Sequence, residues 1–345
     1  MSYLNRQRTR ESYLDKLSVK SNGTIRNTKF ALEKFDRFIV SRFVDRSLDN
    51  IIQELSILKP DDQERSIYDL LQDFVNFMNS EGFNPCTTRG YFSIIKKYMV
   101  YRGFKIHNED VKQNIELPRI VEDEKYGLTK TDIKKILDNS NPKRKALYLA
   151  LLSSGMRIGE ACALRKHDFD QSLGRIIVRI PAKFTKTKRA RITFVSKEAE
   201  ESLKPLLTEL GENELIFGVN DDSRASVLVE LNHFNRLRKR AKFSEDRYES
   251  GVHKITIHSF RAYFITVCNR IDFGFSHALV GHSAYLKQYD RLSLEEKLKI
   301  YLKCEPYLNI YSNQEIIDDK DKRITELEVK LERLAKLIER ASVNA

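Results

Sequence analysis

Residues 115–127 read IELPRIVEDEKYG. This segment holds a proline, a short acidic run and a glycine, and it follows neither the helical nor the strand period. It cannot continue a helix, so the chain on either side must bury its own apolar residues, and the segment reads as an interdomain linker. Before it the pattern is helical. Ala31, Phe35, Phe38 and Ile39 share one face, as do Leu71, Phe74, Val75 and Met78, and then Tyr91, Ile94, Ile95, Tyr98 and Met99. The stretches KSNG and SEGFNP mark turns between them. These aromatic-rich stripes read as core rather than as platforms for stacking bases.

After the segment the pattern is mixed. Thr129 and Asp132 precede Ile133, Ile136 and Leu137 as a capping box opening a helix. KALYLALLSSGMRIGEACAL, residues 145–164, is a mostly buried helical stretch interrupted at Ser153-Ser154-Gly155. GRIIVRI and ARITFVS read as two strands facing across the lysine-rich turn PAKFTKTKR. The expected fold is therefore mainly α with a small antiparallel β-sheet in the second of two domains. The domains are 1–115, a linker 116–126, and 127–312, followed by a C-terminal helix over 313–345. In that tail Ile317, Ile324, Leu331 and Ile338 fall seven apart, and Leu327, Leu334 and Ala341 follow the last three by three residues. A coiled coil with a second copy and an amphipathic helix docked on its own domain both fit.

With 345 residues, 41% hydrophobic and 32% charged, the chain is long enough for two cores and has a globular composition. No run of eighteen apolar residues suggests a spanning helix, and the start MSYLNRQRTRESYL has no signal-peptide pattern. Cys86, Cys162, Cys268 and Cys304 lie far apart, with no pair at metal-binding spacing. They read as packed small hydrophobes in a reducing cytoplasm, with no metal and no cofactor implied. The net charge of +12 attracts polyanions, nucleic acid above all. Arg236, Arg238, Lys239 and Arg240 in HFNRLRKRAK form a candidate backbone-contact patch, although a solvated helical face fits equally.

Several groups suited to a phosphate lie in the second domain. Gly155 permits a sharp turn before Arg157, with Glu160 three residues on to orient it; a purely structural Arg–Glu pair explains this as well. Five of the nine residues from Lys183 to Arg191 are basic, which suits a solvated turn or a lysine set beside a phosphate. His258 and Arg261, in ITIHSFRAYF, are three apart and share a helical face. Gly281-His282 follows, then Tyr285 and Tyr289.

Taken in order, these stretches resemble the tyrosine recombinase (phage integrase) family. SSGMRIGEACALRKHDFD is similar to its first arginine box, IHSFRAYF to its His-x-x-Arg box, and LVGHSAYLKQYDR to its glycine-histidine and nucleophile box. YLKCEPYLNIY after them is most like archaeal virus and plasmid members. The resemblance covers residues 127–312, with the first domain similar only in general form to the family's core-binding domain. It implies a two-domain clamp on double-stranded DNA, acting as a dimer or tetramer, without metal or ATP and with no membrane or small-molecule partner, in the cytoplasm at the nucleoid.

It further implies Arg157 and Arg261 as the phosphate clamp, His258 and His282 as the hydrogen-bonding and acid/base pair, and Tyr289 as the nucleophile forming a 3′-phosphotyrosine. Glu160 would support Arg157. The general-acid lysine is expected at Lys186, five residues before Arg191, with Lys183 and Lys188 as competitors. Tyr285 lies too close to His282, and Tyr301, Tyr307 and Tyr311 too far, although the seven-residue gap from His282 to Tyr289 is short for the family. A chromosome or plasmid dimer resolvase, a type IB topoisomerase and a DNA-binding protein with a decayed site are the alternatives.

Overall fold

The computed structural model describes residues 8–219, 222–243, 245–282, 289, 291–311 and 330–331. The chain divides into two compact units, Met1–Asp123 and Glu124–Ala345.

The first unit is helical: α1 Arg10–Lys16, α2 Asn22–Arg42, α3 Leu48–Ile57, α4 Pro60–Ser80, α5 Pro85–Tyr101 and α6 Asn108–Asn114. Side chains of Thr9, Ser21, Ser47 and Asn84 accept the first free N–H groups of α1, α2, α3 and α5. The stripes on α2, α4 and α5 meet in one core, where the Phe35 and Phe74 rings pack edge to face at 4.9 Å. The segment after α6 stays attached to this unit. Glu116 N–H donates to the Gln72 side chain (2.7 Å) and Arg89 Nε to the Pro118 carbonyl (2.8 Å). The expected linker thus begins on the first unit.

The second unit opens with α7 Lys130–Asp138, capped by Thr129 and Asp132. α8 Pro142–Ser154 follows, buried from Ala146 to its end, then the short α9 Ile158–Ala161. A three-stranded antiparallel sheet comprises β1 Phe169–Asp170, β2 Ile177–Ile180 and β3 Arg191–Phe194 in that order. β2 pairs with β3 from Ile177↔Phe194 to Ile180↔Arg191. Then come α10 Lys197–Glu209, α11 Ser223–Arg240, α12 His258–Cys268, α13 Phe273–Val280 and α14 Leu294–Leu308. Among the described residues no helix is long and apolar enough to cross a membrane.

Two expectations need amendment, and a third, the heptad tail, lies almost wholly outside the described residues. Arg238 is not on a phosphate-facing surface: it is buried and donates to the Ile255 carbonyl (3.1 Å), so only Arg236, Lys239 and Arg240 of that patch are exposed. Cys86 is exposed, whereas Cys162, Cys268 and Cys304 are buried. Of the heptad tail, only Leu331 lies among the described residues; it is helical and exposed.

Candidate active site

The site grows from the end of α8. Gly155 turns the chain with φ +65° and sends its N–H to the Leu151 carbonyl (3.0 Å). A Cβ there would meet Phe264 and Val280 at 2.6 Å, so both the conformation and the space require glycine. Carbonyls at this helix end cannot be satisfied within the helix, and three other elements supply donors. The Tyr301 hydroxyl donates to Ser153 O (2.8 Å), Thr193 Oγ1 to Ser154 O (2.8 Å) and Arg261 Nη1 to Gly155 O (2.7 Å).

Arg261 also donates through Nη2 to Val280 O (2.8 Å). It therefore touches the carbonyl two residues before Arg157 and the carbonyl two residues before His282. His258 opens α12 one turn before Arg261. Arg157, Arg261, His258 and His282 are in this way brought together from three separate stretches of the chain.

Glu160 anchors the cluster. Its Oε2 accepts the Arg157 backbone N–H (2.8 Å) and its Oε1 the Arg157 Nη1 (3.1 Å). Arg191, at the start of β3, grips the same carboxylate with Nη1 (3.1 Å) and Nη2 (2.6 Å) while Nε donates to Leu279 O (2.8 Å). Burial alone would raise the Glu160 carboxyl, but the Arg191 and Arg157 contacts outweigh it and hold it below the usual carboxylate range. Arg191 was absent from the expected set because it closes a run of basic residues whose other members are exposed. The signal available was strand alternation, which puts Arg191 and Thr193 on one inward face.

Burial, then the charge of Arg157, pushes the Arg261 guanidinium down to about 9, where it is still a cation at neutral pH. Two guanidiniums, Arg157 and Arg191, bond this one carboxylate and a third, Arg261, feels its charge, leaving two positive charges unbalanced. The Arg157 side chain is 31% exposed and opens outward. His258 reaches solvent, yet the protein around its base, followed by Arg261 and Arg157, lowers its pKa. Burial, then Arg261, His277, Arg157 and Arg191, lowers that of His282. Both imidazoles are therefore neutral at pH 7.

Lys186 is exposed in the turn between β2 and β3, as are Lys183 and Lys188. Thr185 braces this turn, donating to Ala182 O (3.1 Å) and accepting from Arg189 N–H (3.0 Å). Tyr289 is not at the cluster. Its hydroxyl donates to Asp272 Oδ1 (2.8 Å), the oxygen that caps the start of α13. The Val280 carbonyl and His282 lie at the other end of that helix, about 12 Å away for eight residues. Burial, then Asp272, pushes the Tyr289 phenol up to about 12. Tyr301 is fully buried, and Tyr311 donates to Asp138 (2.7 Å). Tyr285 lies outside the described residues.

One partly exposed guanidinium, Arg157, and one buried guanidinium, Arg261, flanked by two neutral imidazoles, could receive a single phosphate group, with charge suited to a phosphoryl transition state. Residues 127–285 match the phage integrase family, and this part of the chain is a domain of the tyrosine recombinases, enzymes that break and rejoin DNA. It is 21% identical to tyrosine recombinase XerA of Thermococcus kodakarensis over 69% of this chain and 95% of that one. It is 24% identical to tyrosine recombinase XerC of Thermodesulfovibrio yellowstonii over 74% and 95% respectively. A lambda integrase (75–356) dimer bound to a COC′ core site shares its fold, with a TM-score of 0.57 at 15% identity over 82% of this chain and 97% of that one.

Proposed function

We propose that the chain is a site-specific recombinase that cuts and rejoins double-stranded DNA through a 3′-phosphotyrosine. The observation carrying this reading is the convergence of Arg157, Arg261, His258 and His282 around an excess of positive charge. Tyr289 leaves Asp272, gives its phenol proton to neutral His258 as its oxygen attacks phosphorus, the bond to the 5′ oxygen breaks, and Lys186 protonates that leaving oxygen. Arg157 and Arg261 neutralise the non-bridging oxygens, where other phosphoryl-transfer sites place metal ions. Arg261 spends donors on two carbonyls, and its remaining N–H groups serve the phosphate. His258 and His282 hydrogen-bond the phosphoryl group and carry protons. The aryl ester conserves the energy of the broken bond, so the 5′-hydroxyl of another strand reverses the step without ATP.

Recombining two duplexes calls for two or four copies on DNA, in the nucleoid-containing cytoplasm. Integration of a mobile element is the first reading of its role. Dimer resolution is the second, supported by the Xer relatives.

The test is covalent trapping on a duplex nicked near the scissile phosphate. Tyr289→Phe is expected to abolish the adduct while DNA binding stays within about twofold, since only a hydroxyl is lost. Adducts persisting in that variant would move the nucleophile elsewhere. A wild-type chain that binds DNA but never forms an adduct would return the decayed-site reading.

A further inference from the structure

The end of α13 holds a second histidine that the reaction just described does not use. Gly281 adopts φ +85°, its N–H bonds to Ala278 O (2.9 Å), and the His282 N–H returns to the His277 carbonyl (3.0 Å). This pair of hydrogen bonds is the helix ending in which the residue after the glycine folds back over the residue five positions earlier. Those two positions ordinarily share an apolar contact. Here both are histidines, with their Nδ1 atoms 2.5 Å apart and ring centroids at 4.7 Å. The His277 ring also packs on Phe273, at 4.4 Å between centroids, which restrains its orientation. At the bend φ +85° strains any other residue, and a Cβ there would crowd Arg191 Cδ at 3.1 Å.

Two imidazole nitrogens at this distance need one N–H and one lone pair between them; two of either kind repel. The charged groups acting on the pair come from three elements: Arg261 on α12, Arg157 at the α8–α9 turn and Arg191 on β3. All are cations. Burial, then Arg261, lowers the pKa of both rings, so each is neutral at pH 7 and has one N–H to place. If His282 spent its N–H on His277, its outer nitrogen would present a lone pair to an incoming phosphate.

We propose that His277 is a positioning residue: its Nδ1–H donates to Nδ1 of His282 and holds His282 in the tautomer whose Nε2–H meets the scissile phosphate. This rests on the reading of His282 as a phosphate-binding group. It also makes the two rings titrate as a unit, because protonating both places two N–H groups face to face.

The test begins with the free full-length chain labelled with 15N-histidine. Signals are assigned with His277→Gln and His282→Gln variants. At pH 7.5 the expected spectrum has His277 protonated at Nδ1 and His282 unprotonated at Nδ1, with scalar coupling between those nitrogens across the hydrogen bond. A protonated Nδ1 on His282, or no coupling, overturns the proposal. A second arm measures covalent trapping. His277→Phe keeps a ring but no donor, and should slow trapping about tenfold, the loss of one hydrogen bond, with DNA affinity unchanged. His277→Gln retains a donor and should recover most of that rate, while in the Phe variant the acid limb of the pH profile becomes that of a single imidazole. Equal loss in both variants, with an unshifted acid limb, overturns the proposal. If the wild-type chain traps no DNA, the recombinase reading falls, and the nitrogen spectra still decide the tautomer.

Discussion

Glu160 receives two guanidiniums at once, and the aim of Arg157 depends on it. Arg157 is tethered through both its backbone and its side chain, and Arg191 keeps the carboxylate from turning away. Arg191→Met would leave a buried carboxylate with one partner fewer. Breaking such a pair costs roughly 3–5 kcal/mol, or a melting-temperature drop on the order of 10 °C for a domain this size. Calorimetry should show that drop, and adding Glu160→Leu to the same chain should restore much of it, because an apolar pair of similar volume replaces the ions. A single Arg191→Met variant that melts like wild type would mean that the pair is not what holds this corner. Arg157, His258 and Arg261 drew notice through glycine and helical spacings, and only the resemblance to the phage integrase family joined them with His282 into one expected set. Arg191 and His277 were absent from it. One is hidden in a charge run, and the other becomes meaningful only once the helix end at Gly281 folds back.

At the scale of elements, α13 separates the chemistry into two ends. Its start holds the Tyr289 hydroxyl on Asp272, and its finish supplies Val280 O to Arg261 and carries His282 beyond it. The proposed attack therefore requires the phenol to give up a charged acceptor. Asp272→Asn preserves the helix cap, since the amide oxygen still accepts from Phe275 N–H, but weakens the bond to Tyr289. A hydrogen bond to a charged group exceeds a neutral one by about 1 kcal/mol, so adduct formation on the nicked duplex should quicken about fivefold. Unchanged or slower trapping would remove Asp272 as a restraint. The β2–β3 hairpin was readable from alternation and a turn, and α8 from its apolar length. β1 was not, because two residues, Phe169 and Asp170, cannot display a period. The burial of Arg238 was hidden for a related reason: helical spacing told which residues share a face, not which face the Ile255 carbonyl would claim.

For the whole molecule, the break at residues 115–127 announced two units before any contact was known, although a hydrogen bond from Arg89 and another accepted by Gln72 keep its first part on the helical unit. The net charge of +12 makes binding to DNA a matter of displaced counterions. If both units meet the backbone, six or more phosphates are covered. Affinity for a duplex should then fall about a thousandfold between 50 and 200 mM salt. Fluorescence anisotropy across that range would reveal a shallow slope if only one unit binds. A last consequence belongs to biosynthesis. The carbonyls closing α8 wait for Thr193, Arg261 and Tyr301, the last of them 148 residues downstream. A chain emerging from the ribosome cannot complete that corner until Tyr301 has been translated, so a message truncated before α14 should yield no partly working product, only material for proteases.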